Sequence, residues 1–210
     1  MEPTMAVEVK PPTRARRAWR VLRWPVWTVL ALYVALVAYR VPAMFDKQKT
    51  TAAVAFMQSQ KLDWATATGK NVPDAPDEAL NNATLLGTDT NHNGIRDDVE
   101  LAINKLHPNQ AAVRAAELQY ALELQLELSQ VFNTDTWVAE AKYEAHGIDC
   151  LVEAAHPQYF QAKEWMKETE DLVFNTEKRK LKRQFVGIFE SAFVSSDQAS
   201  CDIDPKTFAA

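Results

Sequence analysis

The pattern of apolar and polar positions changes character several times along the chain. Residues 24–39, WPVWTVLALYVALVAY, are apolar on every side of any helix they form. Extended to Phe45, the run reaches the ~20 residues that a bilayer crossing requires. Trp24, Trp27 and Tyr39 suit interfacial anchors, and Arg40 can snorkel to a headgroup layer. From Asp63 to Thr88 the periodicity is lost, and Gly69, Pro73, Pro76 and Gly87 predict loop with one helical turn near residues 76–81. From Asp97 onward a helical period returns: Val99, Ile103 and Leu106 recur at spacings of four and three, and Pro108 closes the segment. A longer helix is predicted from about Gln110 to Phe132. Its centre, LELQLEL, alternates like a strand, but Leu, Glu and Gln are helix formers and no β-branched run flanks them. A third helix is predicted from Thr134 or Asp135, either able to cap it, to His146, with Gly147 supplying a left-handed turn. Another helical turn over 148–156 would carry Cys150. Beyond Pro157 the pattern predicts one long helix, or two meeting near Asn175, ending around Phe193. Phe174, Leu181, Phe185, Ile188 and Phe189 form its apolar stripe. No segment reads as a strand with a partner, so the expected class is all-α: an N-terminal membrane helix followed by a bundle of three or four main helices.

Charge changes this picture by giving it a direction. Residues 1–45 hold seven cations against Glu2 and Glu8, net +5, which leaves −10 for the rest of a chain whose total is −5. Cations concentrated ahead of an apolar run hold that end in the cytoplasm. The expected layout is a basic cytoplasmic leader (1–23, with a flexible, proline-containing stretch at 1–13), a single-pass signal-anchor (24–45), a linker with short helices (46–88) and a helical domain (89–210). The domain would then face the periplasm or cell exterior from an inner membrane. A cleavable secretory signal, with Val41 and Ala43 as its small-residue pair, is the alternative, and it exports the same domain. A buried core helix would leave the charge asymmetry unexplained.

Two cysteines, Cys150 and Cys201, both fall in the exported part. An even pair in an oxidising compartment forms a disulfide most simply, with two free thiols as the alternative.

The candidate chemistry sits in DTNHNGIRDDVE, residues 89–100. Calcium takes six to eight oxygens, and a twelve-residue loop supplies them from positions 1, 3, 5, 7, 9 and 12, with glycine at 6 for the sharp turn. Asp89, Asn91, Asn93, the Ile95 carbonyl, Asp97 and Glu100 occupy those places, and Gly94 stands at position 6. The stretch resembles the calcium loops of EF-hand-like proteins, above all the thrombospondin type 3 variety, with its apolar position 7 and Asp at position 9. The resemblance covers these twelve residues only and implies calcium as the bound cofactor. Two departures stand out. Arg96 occupies position 8, where paired EF-hands keep an apolar bridge to a sister loop, and Gly87 interrupts the entering helix. With three carboxylates and two amides, the expected affinity lies in the weak extracellular range, ~10⁻⁴ to 10⁻³ M, which suits a structural ion. A metal-free Asx-rich turn is the competing reading.

Other clusters carry less. His146, Cys150 and His156 lack a fourth zinc ligand and an aligned helix, and His92, at loop position 4, is expected to face solvent. EKRKLKR, residues 177–183, reads as a solvated helix face, and export excludes nucleic acid as a partner. Asn82-Ala83-Thr84 is a glycosylation sequon, with meaning only in a eukaryotic secretory path. No nucleophile elbow, phosphate loop or zincin helix is present. The functional expectation is a membrane-anchored, calcium-binding structural or interaction module with an unidentified protein partner. Its alternatives are an extracytoplasmic enzyme of hydrolase type and an accessory subunit of an inner-membrane complex.

Overall fold

The computed structural model describes residues 14–194 and 200–208; the expected flexible leader over 1–13 falls outside them. The described residues are helical, with no strand among them. Eight α-helices follow in order: α1 (Arg14–Ser59), α2 (Trp64–Ala67), α3 (Glu78–Ala83), α4 (Asp97–Leu106), α5 (Ala111–Gln130), α6 (Thr134–Ala154), α7 (Tyr159–Val173) and α8 (Glu177–Val186), with 3-10 turns at Gly187–Phe189 and Pro205–Phe208.

The chain divides into two compact units, Met1–Gln48 and Lys49–Ala210. In the first, α1 is long and apolar enough to cross a membrane, and Trp24, Trp27, Tyr33 and Tyr39 are all well exposed. The second unit begins earlier than the sequence suggests. Residues 49–88, expected as a linker, carry the anticipated short helices, yet Met57, Leu62 and Ala67 are buried in the second unit.

α5 is the axis of that second unit. Every residue from Val113 to Leu128 is buried, because α2, α4, α6, α7 and α8 surround it. Its alternating Leu and Glu therefore reflect a helix enclosed on all sides, and the polar residues go inside with the leucines. α6 runs through Gly147 to Ala154 instead of stopping at His146, and its cap is Asn133, whose side chain accepts from the Thr136 N–H, in place of Thr134 or Asp135. The glycine is required by packing: a Cβ there would overlap the Glu123 carboxylate of α5. Gly147→Ala is thus expected to cost about 1–2 kcal/mol by overpacking, read as a lower midpoint in thermal unfolding. A mutant as stable as the parent would show that the carboxylate moves aside freely.

Two further expectations are corrected at α8. Of the apolar stripe Phe174 is buried in the core, but Leu181 is 61% exposed, Phe185 50% and Ile188 67%. The basic run is not wholly solvated either. Arg179 is fully buried and donates to the carbonyls of Asn81, Thr84 and Leu85 and to the side-chain oxygens of Asn82 and Asn175. It ties the end of α3 to α8, a role that charge patterning alone does not reveal.

Cys150 and Cys201 are joined in a disulfide, Cα to Cα 4.8 Å apart. Around it, Gln119 of α5 donates to the Ser200 carbonyl and accepts from the Asp202 N–H, while Asp202 accepts from the Leu62 N–H. Phe208 stacks on Trp64. The C-terminal segment is thereby fastened to three parts of the second unit.

Candidate metal loop and buried acids

The loop at 89–100 is closed by its own backbone. The Asp97 N–H donates to the Thr88 carbonyl at 2.9 Å, and the Thr90 N–H donates to Asp97 Oδ1 at 2.9 Å. Asp89 accepts from the N–H groups of Asn93 and Gly94, and the Asn93 Oδ1 accepts from the Ile95 N–H. Gly94 has φ +86°, a left-handed conformation that glycine adopts without strain. A Cβ at that position would also meet the Leu122 side chain at 2.7 Å. Ile95 is completely buried in the core, which fixes the backbone at position 7. His92 is exposed, as expected.

The predicted ligands Asn91, Asn93 and Glu100 converge. Both amides donate to Glu100 Oε2, at 3.0 and 2.8 Å. The amide oxygens point the other way: Asn93 Oδ1 accepts from the Ile95 N–H and Asn91 Oδ1 from the Asn93 N–H. Glu100 and Asp97 are fully buried, and Glu100 Oε1 and Asp97 Oδ2 have no hydrogen-bond partner. Burial raises the Glu100 carboxyl above its ordinary range, and the charges of Asp97 and Asp89 push in the same direction. An unpartnered buried carboxylate oxygen is costly unless a cation or proton meets it. Asn91, Asn93 and Glu100 are thus brought together on a loop that opens a helix, whereas the carboxylates of Asp89 and Asp97 are turned to backbone N–H groups of the loop and do not form one close group with Glu100.

Arg96 explains the departure at position 8. Its guanidinium is buried, pairs with Asp98 and donates to the carbonyls of Leu172 and Val173 at the end of α7. Where a paired EF-hand would meet a sister loop, this loop is docked on a helix C-terminus. Gly87 makes room for the same side chain: its φ is +67°, and a Cβ there would overlap the Arg96 stem. The interruption of the entering segment is therefore part of the docking.

A second polar feature was not legible from motifs. Glu123 and Glu127 of α5 face Glu140 and Glu144 of α6, with Glu170 of α7 and Arg183 of α8 beside them. Arg183 pairs with Glu170 at 3.0 Å, and the Tyr120 hydroxyl donates to Glu170 at 3.1 Å. Burial is the main cause that raises Glu123, Glu127 and Glu140, and Glu127 is pushed up to about 7. The only sequence signal is the i, i+4 spacing of Glu123 with Glu127 and of Glu140 with Glu144, which on exposed helices is commonplace.

These raised carboxyls give the fold a pH dependence of definite sign. The folded chain holds protons that the unfolded chain releases near pH 4.5, so the stability they confer is complete below that value. It is lost from about pH 4.5 to about 7 for Glu127. Glu140→Gln keeps the shape without the ionisation cost. It should raise stability at pH 8 by about 1 kcal/mol and change it little at pH 4. Chemical denaturation at the two pH values measures this, and an equal effect at both would contradict it.

Clefts of the second unit include two that border polar side chains. One of 860 Å³ is bordered by Gln119, Glu123, Lys142, Tyr143, His146 and Asp202. The other, a groove of 790 Å³, runs between α4 and α7 past Lys105, Glu164, Lys167 and Glu168. Compared with protein-family models, curated proteins and solved structures, the chain matches none.

Proposed function

We propose that the protein is a membrane-anchored, extracytoplasmic module whose helical domain is clamped by one calcium ion in the loop at 89–100. The observation that carries this reading is the unpartnered Glu100 Oε1 on a fully buried side chain to which Asn91 and Asn93 converge, with a second unpartnered buried oxygen, Asp97 Oδ2, in the same loop. Asp89, Asn91, Asn93, the Ile95 carbonyl, Asp97 and Glu100 would hold the ion. The ion neutralises the acids and joins the loop to the start of α4. With Arg96 tying the same loop to α7, the clamp would reach across the domain.

The basic segment ahead of an apolar helix supports anchoring by residues 24–45 with the N-terminus in the cytoplasm. The disulfide supports an oxidising exterior, most simply a bacterial periplasm. The role is structural or interactive, with a protein as the partner.

Two measurements test this on the full chain. A periplasm-dependent phosphatase fused after Ala210 is expected to be active; an inactive fusion of normal abundance would overturn the location. In detergent, calcium is expected to protect residues 84–100 from proteolysis in the parent and not in Glu100→Gln. Equal cleavage with and without calcium in the parent would overturn the clamp.

A second reading, an extracytoplasmic enzyme, is favoured by the 860 Å³ cleft, where Glu123 and Tyr143 are both shifted upward, chiefly by burial. It predicts an activity that Glu123→Gln abolishes while calcium binding is kept.

A further inference from the structure

His107, Glu117 and Glu168 come together from three different elements. His107 is the C-cap of α4, Glu117 lies on α5 and Glu168 on α7. A nitrogen or oxygen from each lies within 4.8 Å of the others. Nε2 of His107 is 3.1 Å from Oε2 of Glu117, but the two are not aligned as a hydrogen bond. Glu117 is fully buried, and neither its carboxylate oxygens nor the ring nitrogens of His107 have a hydrogen-bond partner, the close approach of Nε2 to Oε2 being their one polar contact. Four unsatisfied polar atoms at one point in a core are far more than ordinary packing leaves.

The surroundings hold the imidazole in place. Arg114 donates to the His107 carbonyl at 3.0 Å and to the Ala67 carbonyl at 3.2 Å, so its guanidinium is turned onto backbone. The Trp165 ring packs edge-on to the imidazole, with centroids 5.9 Å apart. Glu168 is half-buried and borders the 790 Å³ groove between α4 and α7, which gives the cluster a route to solvent.

We propose that His107, Glu117 and Glu168 form a second metal site, for a divalent transition ion of the zinc class, separate from the calcium loop. One imidazole and two carboxylates are a borderline donor set that zinc accepts and calcium, which selects oxygen, does not favour. The 3.1 Å between the nitrogen and the oxygen is near the ligand–ligand edge of about 3.3 Å that a tetrahedral ion with ~2.0 Å bonds imposes. Three protein ligands leave a fourth position for water entering from the groove. The ion would take one imidazole nitrogen of His107 and the Glu117 carboxylate, and would tie α4, α5 and α7 together.

The test uses the full chain in detergent, stripped of metal and then saturated with calcium. Zinc is titrated against a chromophoric chelator, and cobalt is used separately for its visible absorption. The expected result is one zinc per chain, a cobalt spectrum of low coordination number, and at least tenfold weaker zinc binding in His107→Gln, Glu117→Gln and Glu168→Gln. Glu100→Gln should bind zinc like the parent, which separates this site from the loop. Glu168→Gln alters a half-buried side chain and decides the matter if the other two variants fail to fold. Absence of zinc binding in the parent, or unchanged binding in Glu168→Gln, would overturn the proposal.

Discussion

In 10 mM calcium the full-length protein should unfold at a temperature several degrees higher than in excess chelator, and Glu100→Gln should abolish the difference. The magnitude follows from linkage. An ion with a dissociation constant of ~10⁻⁴ to 10⁻³ M, present at ten to a hundred times that value, stabilises by about 1.4–2.7 kcal/mol. For a domain of this size each kcal/mol moves the midpoint by about 2–4 °C. Glu100 is the variant of choice because it is fully buried and one of its oxygens is unpartnered. The neutral isostere removes a charged ligand and leaves the packing in place. In chelator, Glu100→Gln should be at least as stable as the parent, since it no longer carries a buried acid beside Asp97 and Asp89. An equal calcium shift in parent and variant would place the ion elsewhere.

A larger loss is expected from Cys201→Ser, or from reduction of the disulfide. The bond spans 51 positions, and a closed loop of that length contributes about 4 kcal/mol through the entropy of the unfolded chain. The midpoint should fall by about 10 °C. The effect should begin locally, because the bond fastens the segment whose other attachments are Gln119 to Ser200 and Asp202, and Asp202 to Leu62. Amide exchange should rise first at residues 200–208 and then near Leu62. If reduction left both midpoint and exchange unchanged, the hydrogen bonds alone would be holding that segment.

The parts of the fold legible in the sequence are those where local chemistry and tertiary structure agree. α4 begins at Asp97 and ends before Pro108, as spacing and proline predict, and α5 lies within one or two residues of its expected bounds. Gly94 is where a left-handed turn is needed. The two cysteines form the one bond available to them. The misread elements share a different cause: their residue types serve distant contacts. Gly147 reads as a helix terminator, but it is a notch for the Glu123 carboxylate. Arg179 reads as one cation in a solvated run, yet it gathers carbonyls from a segment nearly a hundred residues away. Leu181, Phe185 and Ile188 keep a core-like spacing while lying exposed on α8 and the 3-10 turn after it.

The candidate site divides along the same line. The loop is contiguous, so its six ligand positions can be counted off in sequence. Its docking by Arg96 onto the carbonyls of Leu172 and Val173 is not contiguous and could not be. The same holds for His107, Glu117 and Glu168, which are ten and fifty-one positions apart and meet only because α4 and α7 both pack on α5. No short pattern marks such a cluster, and its signal is the unsatisfied atoms that appear once the helices are assembled.

The most direct measurement is a calorimetric calcium titration of the full-length protein, parent and Glu100→Gln side by side. One ion bound per parent chain and none by the variant is the predicted result. A parent that takes up no calcium, or a variant that binds it as the parent does, would contradict the account.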